Sequence, residues 1–354
     1  MAWLKEGCGR VDNLDLNVMR EADFYEAGTG YEVRCLLCPH LCLIEDGDRG
    51  KCRARINRQG ALYSESYGLP SSISSDPVEK KPLYHYFPGR EIFSIGTAGC
   101  NFSCIFCQNH TISQSAPSEI PGLHYTSPEM IIQAAEDSPD GAGIAYTYNE
   151  PTVWYEYMYD IAAGAAEAGM KNVVVSNGFI SPRPLDKLLD VIDAFNIDLK
   201  SFSDDFYRVF TGGALAPVKR TLKAIRNRGL HLEITHLVVT GLNDREREFA
   251  VMVDWIASEL GEDTVLHISR YFPAWKLKNP PTPVSVINRF QQLAKEKLEF
   301  VYSGNMPPGS IGSDTVCPGC GALVIERSGY RVDTSGLDES GRCRVCHTKI
   351  AVVS

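Results

Sequence analysis

Of the twelve cysteines in this 354-residue chain, all but Cys8 fall into three short groups, and that clustering constrains fold and chemistry more than any other feature. The first group is Cys35, Cys38, Cys42 and Cys52; the second is Cys100, Cys104 and Cys107; the third is Cys317, Cys320, Cys343 and Cys346. Thiols at such spacings read as metal ligands, because disulfide frameworks belong to oxidising compartments. The opening MAWLKEGCGRVDN runs into acidic sequence rather than an apolar core, so no export signal is read and a cytoplasmic location is expected. No apolar stretch reaches the length a membrane span needs. A formal net charge of -9 argues against nucleic acid or an anionic membrane as partner. The local basic run Arg49, Lys51, Arg53, Arg55 and Arg58 reads as a solvated face.

Between residues 91 and 304 short apolar runs alternate with helical patterns. Strands are expected at EIFSIGTAG (91–99), GIAYTY (143–148), NVVVSNG (172–178), AFNIDLK (194–200), HLEITHLVVT (231–240), VLHISRYF (265–272) and FVYSG (300–304). Ser127-Pro128-Glu129 and Ser181-Pro182 read as helix caps followed by a first-turn proline, and Gly229 and Gly261 as helix stops. Alternating strands and helices imply parallel βαβ units. The expected fold is α/β, a full or partial TIM-type barrel over 90–305, with a cysteine-rich extension over 1–89. A linker and zinc-ribbon-like unit occupy 306–354, and NMPPGSIGSD (305–314) has linker composition. A doubly wound sheet is the alternative, but no glycine-rich dinucleotide fingerprint follows the first strand.

Cys100-Asn-Phe-Ser-Cys104-Ile-Phe-Cys107 directly follows that first strand. Thiolates are the usual ligands of iron–sulfur clusters, and a four-iron cube takes four. Three close cysteines leave one iron open to the amino and carboxylate groups of S-adenosylmethionine (SAM), whose reductive cleavage gives a 5′-deoxyadenosyl radical. A structural zinc loop is the competing reading.

This motif and most of 90–305 resemble the activases of glycyl-radical enzymes, such as pyruvate formate-lyase activating enzyme. With CLLCPHLC, EKKPLYHYFPG, GTAGCNFSCIFCQN, AYTYNEPTVWYEY and SNGFI, the whole chain resembles the radical SAM member of the AmmeMemoRadiSam system. That resemblance implies Memo-like and AMMECR-like partner proteins and a reductant such as flavodoxin or ferredoxin. It also implies SAM contacts. Glu150, in Tyr148-Asn149-Glu150-Pro151, takes the place of the glutamate that binds the SAM ammonium, with Asn149 where the activases have glycine. Ser176 and Asn177 match the ribose or carboxylate contacts. Asp198 and Lys200 match an Asp-Leu-Lys in which the lysine reaches SAM and the aspartate helps hold a monovalent cation. Where an activase arginine contacts SAM, this chain has Thr235-His236. Where a sixth-strand histidine is expected it has Arg270-Tyr271-Phe272, leaving His236 and His267 as candidate adenine donors. Apart from any resemblance, Cys100–Cys107, Asn149/Glu150, Ser176/Asn177, Asp198/Lys200 and Thr240–Asn243 all fall at C-terminal strand ends, the face on which parallel barrels carry active sites.

Cys317-x2-Cys320 and Cys343-x2-Cys346 form two knuckles of zinc-ribbon type, and structural zinc would stabilise a segment too short for a core of its own. Cys35, Cys38, Cys42 and Cys52, with His40 to spare, read as a zinc site or a second iron–sulfur cluster, zinc being favoured. Three functions are therefore in play: hydrogen abstraction from an unidentified substrate, activation of a glycyl-radical enzyme, and a metal-binding scaffold without turnover. Intact Cys100, Cys104, Cys107 and Glu150 speak against the last.

Overall fold

The computed structural model describes residues 19–138, 141–307, 309–310 and 312–353. Cys8, and two positions of the 305–314 segment, lie outside them. The runs rich in β-branched and aromatic residues form one sheet of eight strands. They are β1 (Ser72–Pro77), β2 (Glu91–Gly96), β3 (Gly141–Tyr146), β4 (Asn172–Ser176), β5 (Ala194–Asp198), β6 (His231–Val238), β7 (Val265–Arg270) and β8 (Val301–Gly304). Spatial order follows chain order, and β2 to β8 are parallel. All seven expected strands are present; the first six end two or three residues before the stretch read from sequence, and the last ends with it at Gly304. β1 was not expected: SISSDP carries little apolar pattern, and it is a strand because it pairs antiparallel with β2, Ser72 opposite Gly96 and Pro77 opposite Glu91. The pairing is linear, β1 at one edge and β8 at the other, so a fully closed barrel is not what the described residues form.

A helix fills each crossover between consecutive parallel strands: α1 (Pro128–Glu136), α2 (Tyr155–Glu167), α3 (Pro182–Leu188), α4 (Leu215–Asn227), α5 (Glu246–Leu260) and α6 (Val284–Lys295). Ser127 caps α1 through its hydroxyl, which accepts from the Met130 amide at 3.4 Å. Ser181 holds the same position ahead of Pro182 without a side-chain cap bond. Gly229 and Gly261 do end α4 and α5, both at positive φ.

Strand alternation divides the core. Phe93, Ile95, Ile144, Val174, Phe195, Ile234 and Ile268 pack with the helices. On the opposite face Ile92, Ala145, Val173 and Ala194 meet Val78, Leu83 and Tyr86, so the segment preceding β2 plugs that side of the sheet. Further along the same face, Val265, Phe300 and Tyr302 pack on the C-terminal segment. That segment is a three-stranded antiparallel sheet of Thr315–Val316, Leu323–Ser328 and Arg331–Asp333. Two small antiparallel sheets precede β1, and their Phe24, Val33, Leu37, Ile44 and Leu62 join the helix-side core. Arg55, expected on a solvated face with its basic neighbours, is instead buried, because it lies in the strand Arg55–Arg58 and pairs with Glu156 of α2. Among the described residues no helix is long and apolar enough to cross a membrane.

Candidate functional site

Because β2 to β8 run parallel, their C-terminal ends open into one cavity of about 530 Å³. The loop after β2 delivers Cys100, Cys104 and Cys107 to its wall, with Phe102 and Phe106 between them. The Cys107 amide donates to the Cys104 carbonyl at 3.1 Å. The Phe102 amide donates to Cys100 Sγ at 3.3 Å, and Ser113 Oγ lies 3.2 Å from Cys107 Sγ. Burial pushes the Cys100 thiol well up and Cys104 up to about 12, so neither thiolate is favoured without a positive partner. Among the described residues, no three of these sulfurs lie within 4.8 Å of one another. Thiols at that spacing, Cys104 buried and Cys100 and Cys107 half-buried, suit a multi-iron cluster better than a single ion.

Glu150 follows β3 and opens a short 3-10 turn, Pro151–Trp154, for which it is the N-terminal cap. It is 2% exposed. Its Oε1 accepts from Ser176 Oγ at 2.7 Å and the Thr152 amide at 3.0 Å; its Oε2 accepts from the Asn177 amide at 2.8 Å. Burial pushes this carboxyl up, against the pull of those donors. A carboxylate so held keeps lone-pair capacity on Oε2 for a further donor in the cavity.

Lys200 Nζ sits 2.8 Å from Asp198 Oδ2 at the end of β5. Desolvation opposes the Lys200 charge, but Asp198 and the Cys104 thiol outweigh it and raise the ammonium's pKa. Asn177 spends its side chain on the site's frame: Nδ2 donates to Asn101 Oδ1 at 2.8 Å, and Oδ1 accepts from the Phe179 amide at 2.9 Å. Asn149 does likewise, accepting from the Thr97 amide at 3.1 Å and Trp154 Nε1 at 3.2 Å, and donating to the Gly99 carbonyl at 2.8 Å. Both amides thus tie strand ends to the loop that carries Cys100. Asn243 similarly donates to the Lys200 and Leu237 carbonyls.

His236 corrects the sequence reading. Thr235 and Leu237 line the cavity, so alternation along β6 turns His236 to the other face, against Phe249 of α5. Its Nδ1 donates to the Leu199 carbonyl at 2.9 Å and its Nε2 is buried without a partner. It is not placed to meet a ligand in the cavity. His267 is also engaged elsewhere, its Nε2 2.6 Å from Glu233 Oε2 beneath the plug. The cavity wall holds groups that sequence reasoning missed. Lys81, 3% exposed, donates to Asp76 Oδ2 at 2.6 Å and lies 4.6 Å over the Tyr148 ring. Tyr148 also donates to Asp76 at 2.6 Å. Burial works against the Asp76 charge, but Lys80, Lys81 and Tyr148 together hold its carboxyl well below the usual range. For Lys81 the only signal was the phrase EKKPLYHYFPG, whose place against β2 and β3 is set by tertiary packing.

The other two thiol groups do not line this cavity. All four sulfurs of Cys317, Cys320, Cys343 and Cys346 are within 4.8 Å of one another, with Cys317–Cys346 at 3.5 Å and Cys320–Cys343 at 3.7 Å. Cys35, Cys38, Cys42 and Cys52 line a separate small pocket.

The sequence profile of the Radical SAM superfamily matches residues 94–253, the stretch from within β2 to within α5 that carries the cavity's thiols. The chain belongs to the radical SAM superfamily. An uncharacterized protein of Methanocaldococcus jannaschii is 44% identical over 340 residues, covering 95% of this chain and all of that one. The pyruvate formate-lyase-activating enzyme of Clostridium pasteurianum is 24% identical over 162 residues, 45% of this chain and 66% of that enzyme. The benzylsuccinate synthase activating enzyme of Thauera aromatica is 21% identical over 194 residues, 53% and 58% of the two chains. The protein is accordingly a radical SAM enzyme related to the activating enzymes, and the superfamily implies SAM and a [4Fe–4S] cluster.

Proposed function

We propose that Cys100, Cys104 and Cys107 hold the [4Fe–4S] cluster and that SAM occupies the cavity beside them. The observation that carries this is the convergence of three thiols, Cys104 buried and Cys100 and Cys107 half-buried, with Glu150 and Lys200 at one end of a parallel sheet. When bound, the cluster supplies an electron to the sulfonium of SAM, releasing methionine and a 5′-deoxyadenosyl radical that takes hydrogen from a substrate. The chain's own residues bind and orient. Glu150 receives the SAM ammonium as a charge-assisted bond. Lys200, oriented by Asp198, meets the carboxylate or ribose, and Ser176 fixes the Glu150 rotamer. Asn149 and Asn177 act as positioning residues. Phe102, Phe106 and Leu237 keep water from the reacting carbon.

Anaerobically reconstituted protein with dithionite and SAM should yield 5′-deoxyadenosine, and Cys104→Ala should abolish it. Deoxyadenosine at the wild-type rate from Cys104→Ala would refute the assignment. Cys317, Cys320, Cys343 and Cys346 form a structural zinc site in this reading, since their sulfur spacing suits tetrahedral zinc. Zinc content of Cys104→Ala should therefore equal that of wild type.

The sequence phrases quoted above support assignment to the AmmeMemoRadiSam system, with Memo-like and AMMECR-like partners and a flavodoxin or ferredoxin donor in the cytoplasm. They equally support the division into extension (1–89), SAM-binding unit (90–305) and ribbon (306–354). Co-expression with a Memo-like protein should give a complex that survives affinity purification; separate elution would count against it. The similarity to activating enzymes favours a second reading, hydrogen abstraction from a protein glycine. It requires a persistent glycyl EPR signal in the partner.

A further inference from the structure

Cys35, at the end of the strand Val33–Cys35, lines a pocket of its own with Cys38, Cys42 and Cys52. Sulfur spacing separates this group from the C-terminal one. A single tetrahedral ion with metal–sulfur bonds of about 2.3 Å sets its sulfurs roughly 4 Å apart, as the C-terminal thiols are. No three of the pocket's thiols lie within 4.8 Å of one another, among the described residues. A four-iron cube spreads its ligand sulfurs to roughly 6 Å. Gly50 lines the pocket between two of these thiols: a Cβ there would stand in ordinary contact with Cys52 Sγ at 3.7 Å and Cys42 Sγ at 3.9 Å, and tightly against Ile44 Cδ1 at 3.3 Å.

Arg55 supplies the second, independent observation. Its side chain is 1% exposed and lines the same pocket. One terminal nitrogen pairs with Glu156, while Nε and Nη1 have no partner. Idle donors on a buried cation are costly unless a ligand takes them up. The net negative charge and the sulfur acceptors of a thiolate-bound cube would do so. A neutral pocket of unliganded thiols would not.

We propose that Cys35, Cys38, Cys42 and Cys52 bind a second [4Fe–4S] cluster, with Arg55 donating to its sulfurs. It adjoins the first site, since the Cys100 amide donates to the Cys52 carbonyl at 3.1 Å and His40 Nε2 to the Asn101 carbonyl at 2.8 Å. His40 is thereby held at the junction, and the four thiols complete the ligand set unaided.

The test removes the first site and reads metal, not turnover, so its failure is distinct from failure of SAM cleavage. Full-length protein carrying Cys100→Ala, Cys104→Ala and Cys107→Ala should retain about four irons and four sulfides per chain after anaerobic reconstitution, with the Mössbauer signature of a [4Fe–4S] cluster. Retention of zinc in place of iron at these thiols, or no iron at all, overturns the proposal. In the same background Arg55→Met should lower the cluster's midpoint potential, because an uncompensated negative site resists a further electron. Arg55→Lys, which keeps the charge and is the safer fold, should shift it less. Equal potentials in all three proteins would remove Arg55 from the site.

Discussion

Glu150 shows how one residue's surroundings define its chemistry. A free carboxylate with this burial is unfavourable, yet three donors from two strand ends hold it in a single rotamer facing the thiols. Replacing it by Gln keeps the shape and removes the charge that an ammonium would meet. Glu150→Gln should weaken SAM binding by roughly 10- to 100-fold, the value of a charge-assisted hydrogen bond of about 1.5–3 kcal/mol. Equilibrium titration of reconstituted protein measures this, and an unchanged Kd would place the ammonium elsewhere. Residue type and strand-end position made Glu150 legible in the sequence. His236 was misread for the complementary reason. Its neighbour Thr235 faces the cavity, and only the register of β6 in the sheet decides which of two adjacent residues does.

At the scale of elements, local signals were read well and pair-dependent ones were not. The Ser127 cap, the first-turn prolines and the terminal glycines act within a few residues, and each marks a helix end that the structure contains. β1 carries no such signal, because its identity comes from its partner β2. Two glycines, one just past a helix and one within a strand, make a test of this distinction. Gly229 lies at φ +73° with nothing within 4 Å of a Cβ, so Gly229→Ala should cost only about 1–2 kcal/mol of left-handed strain. Gly143, inside β3, lies at φ +125°, and a Cβ there would stand 2.0 Å from the Lys171 carbonyl oxygen. Gly143→Ala should therefore cost more, on the order of 3 kcal/mol or greater. Denaturant melts of the two variants give the comparison, and equal midpoints would contradict it.

Over the whole molecule, buried polar groups join distant segments. His85 in the plug donates from Nδ1 to the Ala351 carbonyl at 3.1 Å and accepts from the Tyr302 hydroxyl of β8 at 2.6 Å. Burial pulls its pKa down to about 3. A folded value below the unfolded one of about 6.5 contributes stability that is complete above pH 6.5 and lost as pH falls toward 3. At pH 5 the loss from this residue is about 2 kcal/mol. Thermal melts should therefore fall between pH 6.5 and 5, and His85→Gln, though less stable overall, should flatten that slope. An identical slope in the variant would assign the effect to other groups. The sequence alone determined the superfamily motif, the seven parallel strands and the three thiol groups, because spacing and short-range periodicity are properties of neighbouring residues. Tertiary structure decided what no spacing can express. It turned His236 away from the cavity and brought Lys81, paired with Asp76, to its wall. It also set four sulfurs around Arg55 too widely for one ion, because register, plug and sheet order act between segments far apart in the chain.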